Sequence, residues 1–251
     1  MLLIKCRRLL VDNSNTRTKF ALCEGGELSE IRVLPTADIS ALTVQNILRG
    51  WAFARVCLCS VVPWAGECLR AALQGYPLEH VKPEVSSLVD FSSYPGVATL
   101  GADRVANVLA AVAISPLPVV AVDLGTATTF DVVTGAALHP VFRGGMIAPG
   151  YAAVAAALDS RTAQLPGISE LAGGSVIGQD TRQAMSAAVR VGYPGMIDAL
   201  LDAVEAELGE CIHVILTGGD AEVVSRLMRR KCRIEPRLTL QGIALAAGLR
   251  P

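Results

Sequence analysis

The chain has 251 residues, with 22 Lys and Arg against 23 Asp and Glu and a formal charge of −1, so no extended basic surface for nucleic acid is expected. Hydrophobic residues make up 52% and charged residues 18%, which excludes disorder and a coiled coil and provides for one large or two small domains. Mean hydropathy is +0.46, high enough that a membrane span has to be weighed along the chain.

The N-terminal run MLLIKCRRLLVD breaks its apolar character with basic residues and reaches Asp12 too early for a secretory signal, so a cytoplasmic protein is expected. From Val11 to Phe20, VDNSNTRTKF is an apolar strand ending in Asp12, a turn of small polar residues and a return into β-branched and aromatic residues. Arg55 to Val62 reads as a buried strand in which Cys57 and Cys59 share a face as small core hydrophobes. The seven cysteines (Cys6, Cys23, Cys57, Cys59, Cys68, Cys211 and Cys232) form no pair of Cys-x-x-Cys clusters, and His80, His139 and His213 have no ligand-like spacing. Gly101 to Ile114 reads as a helix with Val105, Val108, Leu109 and Val112 on one face. The longest uncharged stretch, Val105 to Val122, approaches the length of a spanning helix, but Pro116 and Pro118 split it into a buried helix and a buried strand, so no membrane association is expected.

From Val122 to Phe130, VDLGTATTF repeats the pattern of the first segment. Asp12 and Asp123 lie 111 positions apart, which suggests two related halves, 1–115 and 116–251, joined at Ser115-Pro116-Leu117-Pro118. Gly144 to Gly150 reads as a loop feeding an Ala-rich helix to Leu158. Helices are expected from Thr181 to Val191 and from Gly195 to Glu207, and a strand from His213 to Leu216 running into Thr217-Gly218-Gly219-Asp220. A last helix, Glu222 to Arg230, would close on the basic run Arg229-Arg230-Lys231, where the macrodipole favours positive charge. Strands alternating with helices give an α/β fold.

A strand ending in Asp, followed by a turn of Gly, Ser and Thr, presents backbone N–H groups and hydroxyls to a polyphosphate and a carboxylate to its cation. Taken alone, each such turn is equally explained by an Asp that braces its own turn. Two of them plus the glycine turn at Thr217-Gly218-Gly219 make a nucleotide site the better explanation. Asp103 lies in the first turn of its helix, where the carboxylate form is favoured, and can take up a hydroxyl proton; Arg104 can fork onto a carboxylate or a phosphate.

The three elements resemble the nucleotide cleft of the actin-like ATPase superfamily, and the ordered set VDNSNT, LGADR, DLGTATTFD, GGMIAPG, AQLP, IGQDT and LTGGD resembles the type III pantothenate kinases from about Leu10 to Gly248. Most specific is Gly-x-Asp-Arg followed by Asp-x-Gly-Thr-Ala-x-Thr, with Asp103 and Asp123 20 residues apart. The resemblance implies two related actin-like ATPase (ribonuclease H-like) domains with a nucleotide cleft between them, and ATP-dependent phosphorylation of pantothenate to 4'-phosphopantothenate, the first step of coenzyme A synthesis. It implies ATP contacts from Asp12, Asn13, Ser14, Asn15, Thr16, Arg17, Thr18 and Lys19 in the first phosphate loop and from Thr126 in the second. It further implies pantothenate contacts from Tyr94, Gly101, Ala102, Asp103, Arg104 and Thr181, with Asp103 as proton acceptor. Mg²⁺, a monovalent cation (K⁺ or NH₄⁺) at Asp123 and a homodimer complete the implied set; the weakly charged helix from Gly195 to Leu208 is a candidate dimer surface or a core helix. Ser14 stands where that family's first loop usually carries glycine. A positive φ there would strain the turn, which motivates a second reading, a nucleotide-binding accessory protein of the same fold without turnover.

Overall fold

The computed structural model describes residues 7–85, 87–159 and 174–249, so the AQLP motif lies outside the described residues. Contacts divide the chain into two compact units. The first comprises 1–115, 133–143 and 237–251, and the second 116–132 and 144–236.

The first unit is built on β1 (Arg7–Asn13), β2 (Arg17–Glu24), β3 (Glu27–Pro35), β4 (Arg55–Ser60) and β5 (Leu78–His80), in the order β3-β2-β1-β4-β5. β1 runs antiparallel to β2 and parallel to β4, with Asp12 opposite Lys19 on one side and Cys59 on the other. β4 therefore sits inside the sheet and is buried without interruption from Val56 to Cys59, as parallel strands covered on both faces are. Leu9, Val11, Phe20, Val56 and Leu58 pack there with Leu69 of α2 (Pro63–Ala72) and Val44 of α1 (Ala41–Ile47). Each such fully buried side chain is worth about 1.5–3 kcal/mol of transfer free energy. The Cys57 thiol is pushed up to about 12 by burial, the mark of a core thiol rather than a reactive one. The expected helix appears as α3 (Ala102–Ile114), its residues Val105 to Ala111 all buried.

The second unit carries β6 (Val119–Leu124), β7 (Ala127–Ala136), β8 (His139–Pro149), β9 (His213–Thr217) and β10 (Arg233–Ile234), in the order β10-β9-β6-β7-β8. Read from β8, this is the β3-β2-β1-β4-β5 order again: an Asp-ended strand with its hairpin partner on one side and a parallel strand on the other. The far end of the β7–β8 hairpin, 133–143, groups with the first unit, where Asp90 bridges to Val141. The core of the second unit gathers Val120, Val122, Leu124, Phe130 and Leu216 against α5 (Thr181–Leu208) and α4 (Tyr151–Asp159). The chain then returns to the first unit as α7 (Leu238–Ala246), where Gly242 lets the helix backbone close on Ala106 of α3.

Three sequence expectations are corrected. The two helices Thr181–Val191 and Gly195–Glu207 are one continuous α5 with Pro194 inside it. Proline removes one helix hydrogen bond, but Tyr193, Pro194, Ile197 and Leu201 are all buried, and that burial carries the helix through. The same burial gives the apolar face of 195–208 to the core of its own unit. Gly144 to Pro149 is not a loop but the second half of β8, an edge strand where glycine is tolerated. The helix expected over Glu222–Arg230 stops at Ser225 as α6 (Ala221–Ser225). Beyond it Arg229 N–H and Arg230 N–H donate to the buried Asp198 carboxylate at 2.9 and 3.4 Å, which competes with helical carbonyls for those donors. The two arginines pair with Asp202 and Glu205 of α5 instead of closing a helix end. Val105–Val122 divides into α3 and β6 as expected, and no described helix is long and apolar enough to cross a membrane.

Candidate active site

In the first unit, the β1–β2 hairpin delivers the first turn. Asp12 is 3% exposed at the end of β1, and Lys19 Nζ donates to its Oδ2 at 3.2 Å across the hairpin. Burial raises the Asp12 carboxyl above its ordinary range; Lys19 opposes this and the Asp103 carboxylate adds to it. Asn15, Thr16 and Arg17 are exposed in the turn, whereas Asn13 and Thr18 are buried with their side chains bonded to each other at 2.8 Å. No described residue other than glycine has positive φ, so Ser14 carries none of the strain a left-handed backbone would impose. Its hydroxyl donates to the Arg17 carbonyl at 2.9 Å and its N–H donates to the same oxygen at 3.2 Å. Serine thus adds a hydrogen bond to the turn, and the physical ground for a chain that binds nucleotide without turnover is gone.

The same unit brings Asp103 to this turn. Gly101 precedes α3, Ala102 opens it, and Asp103 Oδ1 accepts from the Arg104 backbone N–H at 2.8 Å. A Cβ on Gly101 would lie 2.6 Å from that carboxylate oxygen and would displace the Asp103 side chain, while the φ of −59° places no demand for glycine. The helix N-terminus favours the charged carboxylate, but burial outweighs it and raises the Asp103 carboxyl, with Arg104 pulling the other way. Cys59 on β4 feels the charges of both Asp12 and Asp103, which marks the side of the sheet where the two acids gather. Tyr94 stands in the turns before α3, its ring edge-on to Phe142 at 5.1 Å and packed over Gly96.

In the second unit, Asp123 and Thr126 occupy the matching β6–β7 turn, Asp123 half-buried and Thr126 exposed. Two glycines bracket that turn. Gly150 sits so close that a Cβ would run into the Gly125 carbonyl and lie 2.6 Å from the Thr126 carbonyl. Gly218, at φ +94°, would place a Cβ 2.6 Å from Asp123 Oδ1 and against the Leu124 carbonyl. Glycine is needed there for both backbone and space. Below the turn the hydroxyls of Thr128 and Tyr193 are bonded at 2.8 Å, tying β7 to α5. Thr181 is the exposed first residue of α5, preceded by Asp180, whose carboxylate accepts from Gln183 N–H at 2.8 Å.

The sequence model of the type III pantothenate kinase family matches residues 8–203. A type III pantothenate kinase from Akkermansia muciniphila is 38% identical over 96% of this chain and 98% of its own, and one from Methylacidiphilum infernorum is 36% identical over 94% and 86%. The chain belongs to the type III pantothenate kinase family. Its fold is that of the actin-like ATPases and sugar kinases: a ROK family glucokinase from Streptomyces griseus, solved with glucose and AMPPNP, superposes with a TM-score of 0.58 over 95% of this chain and 98% of its own at 11% identity. Four residues outside the expected contact set brace the two turns, of which Gly150 and Gly218 belong to the GGMIAPG and LTGGD motifs and Ser60 and Thr36 to none. Ser60 and Thr36 bond beneath the first turn, and Gly150 and Gly218 bracket the second. A signal for Ser60 was present, a hydroxyl inside the otherwise apolar VCLCSVV. None marked Thr36, whose bonds depend on how β3 ends against the turn.

Proposed function

We propose that this kinase transfers the γ-phosphoryl group of ATP to the terminal primary hydroxyl of pantothenate, giving 4'-phosphopantothenate and ADP. The observation that carries this reading is the meeting of Asp12 and Asp103 in one unit, at the end of β1 and the head of α3, close enough for the charge of one to raise the other. The hydroxyl oxygen forms a bond to the γ-phosphorus, the bond to the β–γ bridging oxygen breaks, and the proton passes to Asp103. A carboxyl raised by burial holds that proton better than an exposed one. Because phosphoryl transfer runs through a loose transition state, Asp103 acts chiefly by orienting the hydroxyl.

Asp12 through Lys19 and Thr126 are assigned to ATP, and Tyr94, Gly101, Ala102, Asp103, Arg104 and Thr181 to pantothenate. Arg104 is suited to fork onto the pantothenate carboxylate. The donors fit the implied cations. Asp123 Oδ1 and the Leu124 carbonyl both lie close to the point a Gly218 Cβ would take, an oxygen pair suited to a hard ion. Among the described residues no cluster of three or more His, Cys, Asp or Glu forms an all-protein metal cage, as suits Mg²⁺ carried largely by phosphates. Asp12 would hold Mg²⁺ together with the phosphates, Asp123 would hold K⁺ or NH₄⁺, and both ions would neutralise phosphate charge.

Purified protein with ATP, Mg²⁺ and pantothenate should form phosphopantothenate in potassium or ammonium salts and much less in sodium; no product in any of them would overturn the reading. The same reading takes the protein to be a cytoplasmic homodimer whose two halves, 1–115 and 116–251, carry the first and the second phosphate turn. Light scattering should give twice 26.3 kDa.

A further inference from the structure

The first turn is held from beneath by a chain of hydrogen bonds that phosphoryl transfer itself does not use. Ser60 Oγ, at the end of β4, donates to Asn13 Oδ1 at 2.7 Å. Asn13 Nδ2 donates to Thr18 Oγ1 at 2.8 Å, and the Thr18 and Thr36 hydroxyls lie 3.0 Å apart. Thr36 Oγ1 donates to the Ser14 carbonyl at 2.7 Å. Proton counting fixes the direction. Thr36 spends its one hydroxyl proton on a carbonyl that can only accept, so Thr18 must donate to Thr36 and keeps only lone pairs for Asn13. Asn13 therefore turns its amide N–H to Thr18 and its oxygen to Ser60. Thr36 also donates its backbone N–H to the Thr16 carbonyl at 3.0 Å, so one residue grips the carbonyls on both sides of Asn15.

Those two grips set the direction of two peptide planes. In a trans peptide the N–H points opposite to the C=O of the same plane. Drawing the Ser14 and Thr16 carbonyls down to Thr36 turns the Asn15 and Arg17 N–H groups away from the buried chain, toward the exposed side of the turn. Packing alone does not call for this arrangement. Asn13, Thr18 and Thr36 are 1%, 0% and 1% exposed, and polar groups so buried are costly unless each finds its partner.

We propose that Ser60, Asn13, Thr18 and Thr36 are positioning residues whose hydrogen-bond chain aims the Asn15 and Arg17 backbone N–H groups at the phosphates of the bound nucleotide. The inference rests on the kinase reading for its ligand, and it assigns Asn13 and Thr18 a role beneath the phosphates rather than on them. Thr36→Val keeps the shape of the side chain and removes the donor to Ser14; Thr36→Ser restores the donor.

The test is calorimetric titration of the whole protein with Mg²⁺ and a non-hydrolysable ATP analogue, alongside KM for ATP and for pantothenate and the melting midpoint. Thr36→Val should weaken analogue binding and raise KM for ATP about tenfold, the loss of one well-made hydrogen bond, and leave KM for pantothenate within about twofold. Thr36→Ser should return both nucleotide constants to within about threefold of the parent. Wild-type affinity in Thr36→Val, equal weakening in the Val and Ser variants, or a parallel rise in both KM values would overturn the proposal. If Thr36→Val does not fold, Ser60→Ala cuts the chain at its far end, and unchanged analogue affinity there overturns it equally. A parent protein that binds the analogue but phosphorylates no pantothenate would overturn the kinase reading alone; one that binds no nucleotide would overturn both.

Discussion

At Ser14 a side chain occupies a place where the family resemblance implies glycine, and the backbone explains how. Glycine is compulsory only where φ is positive or a Cβ would collide, and Ser14 has no positive φ. Its hydroxyl is bonded within the turn to the Arg17 carbonyl. Ser14→Gly would therefore restore the usual motif without relieving anything. We expect kcat/KM for ATP within about twofold of the parent and a stability lower by about 0.5–1 kcal/mol, since glycine loses more backbone freedom on folding. Steady-state kinetics and urea denaturation check both. A tenfold gain in kcat/KM would mean that the serine hydroxyl obstructs the phosphates.

Among the elements, what was legible in the sequence was whatever local chemistry decides. The Asp-ended strands, the α3 helix and the β9 strand with its glycine turn are set by apolar runs, by Gly and Pro punctuation and by β-branched residues; α3 and β9 lie within a residue of their expected bounds, and the Asp-ended strands carry their turns where expected while running several residues further on either side. The misread elements are those decided by distant partners. Pro194 should break a helix, but its burial keeps α5 whole; Arg229 and Arg230 should extend one, but Asp198 takes their N–H groups. Gly150 belongs to this second class. In the sequence it only ends the loop expected to feed the Ala-rich helix; in the fold it lies against the carbonyls of Gly125 and Thr126. Gly150→Ala must push that turn aside, because backbone atoms cannot yield as a flexible side chain would. KM for ATP should rise about tenfold or more, the size of one or two lost phosphate contacts, and the melting midpoint should drop modestly. An unchanged KM for ATP would show that the second turn does not meet the nucleotide.

Across the whole molecule, the repeat of one sheet order in two units shows how a chain with few charges builds two similar turns, and the first of them exacts a cost in stability. Asp12 and Asp103 are both raised by burial, and the Asp103 charge adds to the rise at Asp12. A carboxyl whose folded value lies above its ordinary 3.8 binds its proton more tightly in the folded state. Its contribution to stability is therefore fully present below that ordinary value and is lost as pH rises through the raised one. Asp103→Asn removes the charge while keeping an oxygen for the Arg104 N–H. At pH 7 it should raise the melting midpoint by about 2 °C, as relief of a strained functional group commonly does. The same change should lower kcat by about 100-fold or more through loss of the carboxylate that orients the hydroxyl and takes its proton. The gain in midpoint should shrink as the pH is lowered and vanish where Asp103 is protonated in both states. Melting curves of parent and variant from pH 7 down to the acid limit, paired with initial rates, separate the alternatives. A midpoint that falls at pH 7 would mean that the Asp103 charge, held by Arg104, supports the fold instead of straining it.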